Sequence, residues 1–182
     1  MSKRTINYIA VHCTASPQGW GVKELQQVFQ QRGFQRPGYH YVITADGVVH
    51  PMQPEELISN GVKGYNSETI NVAYVGGIDK SGKGVDNRTD AQRVSLRKLL
   101  GELRSRYPKA KIQGHRDFSP DVNGNGIVDP WEAVRTDITN LGTITGHSDV
   151  AKAAVEDMDT RLKAVQGAAQ PEKKPVVFLF DS

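Results

Sequence analysis

The sequence predicts an α/β fold built on a single mixed β-sheet, with helices packed on the sheet and a C-terminal helix and tail. Several short runs of apolar and β-branched residues indicate strands, and longer segments with helical spacing of apolar residues separate them. Such an order is typical of one sheet with helices on its faces. The 182 residues suit one domain, which we place in residues 1–140, followed by a C-terminal helix and flexible tail in residues 141–182.

The first half of the chain predicts four strands and one helix. Asn7–His12 is an apolar run that ends in a polar loop, and Val22–Arg32 has apolar residues at helical spacing before a glycine. Tyr39–Met52 contains two apolar stretches around an Asp-Gly pair, which is a hairpin signal. Ile70–Gly77 is rich in β-branched residues, which favours a further strand.

The second half predicts two helices and one strand. A capping box begins at Thr89, and leucines at helical spacing continue to Tyr107. Ala110–His115 is the last core strand, and His147–Gly167 has the spacing of a helix. The apolar end of the tail, Val176–Phe180, is typical of a frayed terminus, with an added edge strand or a docking peptide as the alternatives.

Composition excludes several classes of protein. Lys and Arg number 23 against 20 acidic residues, and the basic residues do not gather into a block. The sequence therefore does not indicate a nucleic-acid partner. One cysteine excludes an internal disulfide and a Cys-rich zinc site. The N-terminal residues lack a signal-peptide core, and no apolar run reaches membrane-spanning length. We therefore expect a monomer made in the cytoplasm, without a membrane span.

Two histidines occupy equivalent places in the predicted strands. His12 and His115 each end an apolar strand, so both imidazoles emerge on one rim of the sheet if those strands are neighbours. With Asp137 they form a His/His/carboxylate set, which is typical of catalytic zinc with an open fourth position. The alternative is that each is an ordinary edge histidine with one hydrogen bond.

The remaining histidines and the cysteine have simpler interpretations. His40 alternates with a tyrosine along its strand, so we expect it to be buried and hydrogen-bonded rather than a ligand. His50 lies near a strand end and could be either, while His147 is expected to be exposed. We expect Cys13, which follows His12, to be a small buried residue.

A second metal pattern lies between His115 and Asp137. The stretch "DVNGNGIVDPWE" matches the twelve-residue calcium loop of an EF-hand, with ligands expected at Asp121, Asn123, Asn125, Ile127, Asp129 and Glu132. The alternative is an Asx- and Gly-rich turn, because the segment before the loop, Phe118-Ser119-Pro120, does not indicate a helix end. On the first interpretation a calcium ion is structural and zinc is catalytic.

Several short motifs together resemble one enzyme family. They are "VHCTAS", "GYHYVITADGVVH", "KGYNSETINVAYVGGID", "RTDAQRVSLRKLL" and "GHRDFSP". In this order they resemble the type 2 N-acetylmuramoyl-L-alanine amidases, the group that contains bacteriophage T7 lysozyme and the peptidoglycan recognition proteins. The resemblance covers Ile6 to Asp137. It implies a zinc enzyme that cuts the amide between the lactyl group of muramic acid and the L-alanine of the stem peptide.

The resemblance assigns roles to five positions. It places the zinc ligands at His12, His115 and Asp137, a tyrosine near the metal at Tyr39, and Arg135 where the family has a catalytic lysine. The implied roles are that Tyr39 orients or deprotonates the water and that Arg135 stabilises the oxyanion. Arginine cannot shuttle a proton, so the resemblance does not extend any acid role of the family's lysine to Arg135.

A second departure is Gly61, where the family often carries a histidine. A non-catalytic peptidoglycan-binding module and a partner-binding inhibitor are the alternative functions, and the presence of Asp137 favours hydrolysis over the first of them. The expected substrate is intact peptidoglycan or a soluble muropeptide. The missing signal peptide fits a phage lysin released by another protein, a delivered effector or a cytosolic recycling enzyme.

Overall fold

The computed structural model describes residues 4–168, without the side chains of residues 130, 144, 145 and 165–168. The predicted apolar tip Val176–Phe180 lies outside the described residues. The chain divides into two compact units, the first ending at Phe118 and the second beginning at Ser119. This division comes earlier than the predicted one at residue 140.

The first unit contains one five-stranded sheet, which confirms the predicted single mixed sheet. The strands are β1 (Tyr8–Cys13), β2 (Tyr41–Ile43), β3 (Val49–Pro51), β4 (Thr69–Tyr74) and β5 (Lys111–Gly114). Their spatial order is β3-β2-β4-β1-β5. Neighbouring strands are parallel except for β3, which is antiparallel to β2 across the predicted hairpin.

The central strand β4 is buried on both faces, as a parallel strand flanked by helices must be. Thr69 to Ala73 of β4 are all buried, and Ile70 and Val72 are fully inaccessible to solvent. Branched side chains pack well on such a pleated surface, so this apolar run stabilises the centre of the sheet. Asn71 is equally inaccessible within the same run. An amide in that position needs hydrogen-bond partners.

Helices cover both faces of the sheet. Helix α1 (Val22–Gln31) buries Leu25 and Phe29 against Val42, and α2 (Asp90–Arg106) packs in the cluster that contains Ile43. Because Val42 and Ile43 are adjacent in β2, they point to opposite faces.

The predicted capping box begins α2. The hydroxyl oxygen of Thr89 accepts a hydrogen bond from the backbone N–H of Gln92 at 3.0 Å, and the backbone N–H of Thr89 donates to Gln92 Oε1 at 3.1 Å. Each satisfies an orphan polar group of the helix start, which is why the helix begins here.

The described part of the second unit, residues 119–168, contains two helices, α3 (Pro130–Thr145) and α4 (Ser148–Ala168). Gly146 ends α3 in the left-handed conformation with φ of 73°, and the chain then turns directly into α4. The pattern at 147–167 predicts α4, whereas the sequence interpretation contains no α3. Because α3 continues through residue 140, the predicted domain boundary falls within a helix. Among residues 4–168, none of the helices is long and apolar enough to cross a membrane.

Candidate active site

His12 and His115 lie side by side at the carboxyl ends of neighbouring parallel strands. β1 pairs with β5 in a register that sets Val11 opposite Gly114, so each histidine follows a paired residue. The two Nδ1 atoms are 2.9 Å apart, and the ring centroids are separated by 4.8 Å. The condition on which the sequence prediction depended, that the two strands are neighbours, is confirmed.

The geometry of this pair fits a shared metal ion. Nitrogens bound to tetrahedral zinc at ~2.0–2.1 Å lie roughly 3.3 Å apart, so a small separation of the rings would admit the ion. The pKa of His12 is lowered to about 3, first because the imidazole is buried and second because His115 is adjacent. A neutral imidazole presents the lone pair that a metal requires.

The other ring nitrogen of His12 contacts Asn71. The Nε2 atom of His12 lies 3.0 Å from Asn71 Oδ1, and both side chains are buried. Asn71 is not among the site residues that the sequence motifs predict. The signal was present, because a lone amide in the apolar run "INVAYV" must be hydrogen-bonded to something.

Tyr39 packs against His12, while its predicted role near a metal stays a prediction. Its ring centroid lies 5.2 Å from that of His12 and 5.7 Å from that of Phe29 on α1. Burial, with a smaller contribution from Cys13, raises the pKa of Tyr39 to about 12. The phenol therefore stays protonated near neutral pH and can donate a hydrogen bond, which favours orienting a group over removing its proton.

Arg135 and Asp137 belong to the second unit and lie on α3. Two residues apart on a helix, they point to different sides of it. Arg135 makes an ion pair with Asp159 of α4 at 3.2 Å, whereas Asp137 is exposed. Within the described residues, no group of three or more His, Cys, Asp or Glu side chains is arranged to hold a metal. All three zinc ligands, His12, His115 and Asp137, therefore stay predictions.

The predicted calcium loop is closed by its own hydrogen bonds. Asp121 accepts the backbone amides of Gly124 and Gly126, and Asn123 accepts that of Asn125. The side-chain amides of Asn123 and Asn125 both donate to Asp129 Oδ2, at 2.9 and 3.2 Å. Such Asx turns are what the alternative interpretation of this stretch expects.

Glu132 has a structural task in this loop. Its fully buried carboxylate accepts the backbone N–H groups of Val122, Asn123 and Asp129 at 2.6, 3.0 and 2.7 Å. The last of these bonds completes a capping box at the start of α3. Ile127 is exposed, and its N–H donates to Asn125 Oδ1.

Among the predictions for the remaining histidines and Cys13, the one for Cys13 is wrong. Cys13 is exposed, so the expectation that it is buried is wrong: it is the last residue of β1 and lies beyond the end of the pairing with β5. His40 is fully buried and hydrogen-bonded, as expected, and His147 is exposed. His50 is half-buried, with Nε2 3.1 Å from Thr44 Oγ1.

A cavity of about 570 Å³ opens where β2 ends. It is lined by polar and apolar groups that include Trp20, Gln26, Asp46 and Met52. Thr44, which directly follows β2, also lines it, so the cavity lies toward the carboxyl ends of the parallel strands. This is the edge at which α/β sheets bind ligands.

Comparisons with known proteins agree on one family. Residues 2–160 match the family model described as N-acetylmuramoyl-L-alanine amidase. The endolysin of Enterobacteria phage K11 is 40% identical over 123 residues, which are 66% of this chain and 82% of the relative. The endolysin of Escherichia phage T7 is 38% identical over 120 residues, 65% of this chain and 80% of the relative. The solved Ph2119 endolysin from a Thermus scotoductus bacteriophage is 26% identical with a TM-score of 0.55, covering 71% of this chain and 83% of that one.

Proposed function

The chain belongs to the N-acetylmuramoyl-L-alanine amidase family, and we propose that its cleavage of the amide between N-acetylmuramic acid and L-alanine depends on zinc held by His12, His115 and Asp137. The observation that carries the proposal is the 2.9 Å approach of two imidazole nitrogens on one rim of the sheet. Zinc bound there would polarise the scissile carbonyl and acidify a water molecule.

Tyr39 supplies the hydrogen-bond donor of this mechanism. Its ring packs between His12 and Phe29, which fixes the phenol beside the metal ligands. A phenol whose pKa is about 12 keeps its proton at neutral pH. Tyr39 therefore orients the attacking water or donates to the carbonyl oxygen as negative charge develops there.

Asp137 and Arg135, on different sides of α3, are proposed for the two remaining roles, zinc ligation and oxyanion stabilisation. Asp137 is the exposed carboxylate and is proposed as the third ligand, because a hard oxygen complements two imidazoles on zinc. Arg135 is proposed to stabilise the oxyanion with the positive charge of its guanidinium. Its pairing with Asp159 uses one of the two terminal nitrogens and leaves other donors of the guanidinium. Because the two side chains diverge on a helix, their roles have to be tested separately.

Metal content and turnover separate these roles. Purified wild type should contain one zinc per chain, and His115→Ala and Asp137→Ala should lose zinc and activity together. Arg135→Ala is the matched control on the same helix and should retain zinc while turnover falls. The proposal is contradicted if wild type binds no zinc, or if His115→Ala remains active.

The substrate is peptidoglycan, and we propose that the cavity beside Thr44 receives part of it. A polar and apolar lining that includes Trp20 and Asp46 suits a ligand with both sugar and peptide parts. We also propose that the enzyme acts as a monomer on the cell wall after release by another factor. Light scattering would test the monomeric state. Comparing the digestion of intact sacculi with that of soluble muropeptides would test action on the cell wall.

For the 121–132 loop, we propose that it binds a structural calcium ion through the spacing of its oxygen ligands. The ligand oxygens of Asp121 and Glu132 accept backbone amides in the structure, so calcium would replace those bonds and reorganise the loop. Calcium should then raise the melting temperature at fixed zinc, and Asp121→Ala should abolish the increase. If the melting curves of wild type with calcium and with a calcium-selective chelator superimpose, the calcium proposal is wrong and the loop is an Asx-rich turn.

A further inference from the structure

A line of buried hydrogen bonds extends from His12 into the protein. His12 Nε2 lies 3.0 Å from Asn71 Oδ1, and Asn71 Nδ2 donates to Ser59 Oγ at 2.9 Å. Ser59 Oγ lies 2.9 Å from His40 Nδ1, and His40 Nε2 lies 3.0 Å from the carbonyl oxygen of Leu57. His40, Ser59 and Asn71 are fully inaccessible to solvent, and His12 is 5% exposed.

Two backbone groups determine the direction of these bonds. The backbone N–H of Asn71 points at His40 Nδ1 from 2.9 Å, and an N–H can only donate. The carbonyl oxygen of Leu57 can only accept, so His40 carries its proton on Nε2 and has a lone pair on Nδ1. Since Nδ1 carries no proton, Ser59 is the donor in its contact with His40, and its hydroxyl shares the Nδ1 lone pair with the Asn71 N–H. Its hydroxyl oxygen then accepts from Asn71 Nδ2, which directs Asn71 Oδ1 toward His12.

The direction set at His40 thus reaches the metal ligand. Because Asn71 Oδ1 is an acceptor, His12 must carry its proton on Nε2, and the lone pair is on Nδ1. Nδ1 is the nitrogen that faces His115. A backbone amide and a backbone carbonyl therefore select the tautomer of His12 through three intervening side chains.

Gly61 makes room for this arrangement. A Cβ built on Gly61 would lie 2.3 Å from Asn71 Cγ and 2.4 Å from Asn71 Oδ1, distances that real contacts do not reach. The motifs resemble a family that often carries a histidine at this position. In this chain the space is filled instead by the Asn71 amide. The absence of a side chain at Gly61 is thus what leaves room for the Asn71 amide beside His12.

We propose that Asn71, Ser59 and His40 are positioning residues that hold His12 with Nε2 protonated and Nδ1 directed at the metal. The inference rests on the proposed zinc-dependent function. Partners of this kind fix the ring orientation and tautomer of a ligand, and their loss lowers metal affinity by about 10- to 100-fold. None of the three side chains needs to touch the substrate.

The test measures zinc affinity and the tautomer of His12. Asn71→Leu removes the acceptor at similar volume and should weaken zinc about 10- to 100-fold in competition with a chelator. Asn71→Asp keeps an acceptor for His12 Nε2–H and should restore most of the affinity. In metal-free wild type, ¹⁵N shifts of the ring nitrogens should show His12 protonated on Nε2. Ser59→Ala, a smaller change, should increase the population of the other tautomer.

Gln92→Leu is the matched control. Gln92 is equally buried and donates to the carbonyls of Ile43 and Val75, at 3.1 and 2.9 Å, without contacting this line. It should destabilise the fold and leave zinc affinity unchanged. Wild-type affinity in Asn71→Leu, or an Nδ1-protonated His12 in metal-free wild type, overturns the inference alone. If wild type binds no zinc, the proposed function and the inference fall together.

Discussion

The close approach of Gly61 and Asn71 predicts a strong coupling between substitutions at these positions. In Gly61→Ala the added methyl would lie 2.3, 2.4 and 2.7 Å from the Cγ, Oδ1 and Nδ2 atoms of Asn71. Asn71 is fully inaccessible to solvent, and its amide is bonded to His12 and Ser59. The side chain can avoid the methyl only by breaking those bonds.

The magnitude follows from these contacts. Two buried hydrogen bonds are worth about 1 kcal/mol each, and overpacking adds about 1–3 kcal/mol, so Gly61→Ala should cost about 3–5 kcal/mol. Asn71→Ala loses the same two bonds and leaves a small cavity, at about 2–4 kcal/mol. All three clashing atoms lie beyond the Cβ of Asn71. The double variant should therefore be about as stable as Asn71→Ala alone.

Urea denaturation of the metal-free proteins, followed by circular dichroism, measures the four free energies of the cycle. The expected coupling is about 3 kcal/mol or more in favour of the double variant. Additive costs would mean that the two residues do not share this space, and the packing argument would be refuted.

Three further outcomes are expected. Tyr39→Phe should lower kcat by about 100-fold with little change in KM, because the hydroxyl acts as charge develops; an unchanged kcat in muropeptide hydrolysis would remove Tyr39 from the mechanism. Burial lowers the pKa of His40 from 6.5 to about 4, so the unfolded chain binds the proton first and stability is lost as pH falls from 6.5 to 4. The destabilisation by His40→Gln should therefore shrink by about 3 kcal/mol between pH 7 and pH 4 in urea titrations of metal-free protein, and a constant difference would contradict the assigned pKa. Glu132→Gln should destabilise the second unit by about 1–3 kcal/mol even in calcium-free buffer, since an amide cannot accept all three backbone N–H groups; thermal melting unchanged from wild type would exclude this capping role.

The sequence predicted the strands of the first unit well, because buried parallel strands are continuous apolar runs. It could not determine which strands are neighbours, since an apolar run indicates burial and not the identity of its partner. The pairing of β1 with β5 was therefore a condition of the histidine prediction, and the structure supplies it.

Helix α3 was missed although its start signal is present. Asp129 and Glu132 have the spacing of a capping box, and both form it in the structure. The same two residues occupy the ninth and twelfth positions of a calcium loop, so one short pattern supported two interpretations. The resemblance assigns Arg135 and Asp137 to one site, and helix α3 adds the constraint that residues two apart point to different sides.

The hydrogen bonds behind His12 could be predicted only in part. The alternation of His40 with Tyr39 along the strand correctly indicates a buried, hydrogen-bonded histidine. That His40 reaches His12 through Ser59 and Asn71 depends on three segments that are distant in sequence. The predicted burial of Cys13 is wrong for a related reason. Its small apolar character favours burial, but the strand end where it lies is exposed.

Mass spectrometry of the products released from purified sacculi tests the central claim most directly. Zinc-loaded wild type should release stem peptides with a new amino terminus on L-alanine and leave the glycan strands uncut. Chelator treatment should stop this release, added zinc should restore it, and His12→Ala should show none under any condition. Release from wild type that is unaffected by the chelator, or products cut within the glycan or the peptide, would contradict a zinc-dependent N-acetylmuramoyl-L-alanine amidase.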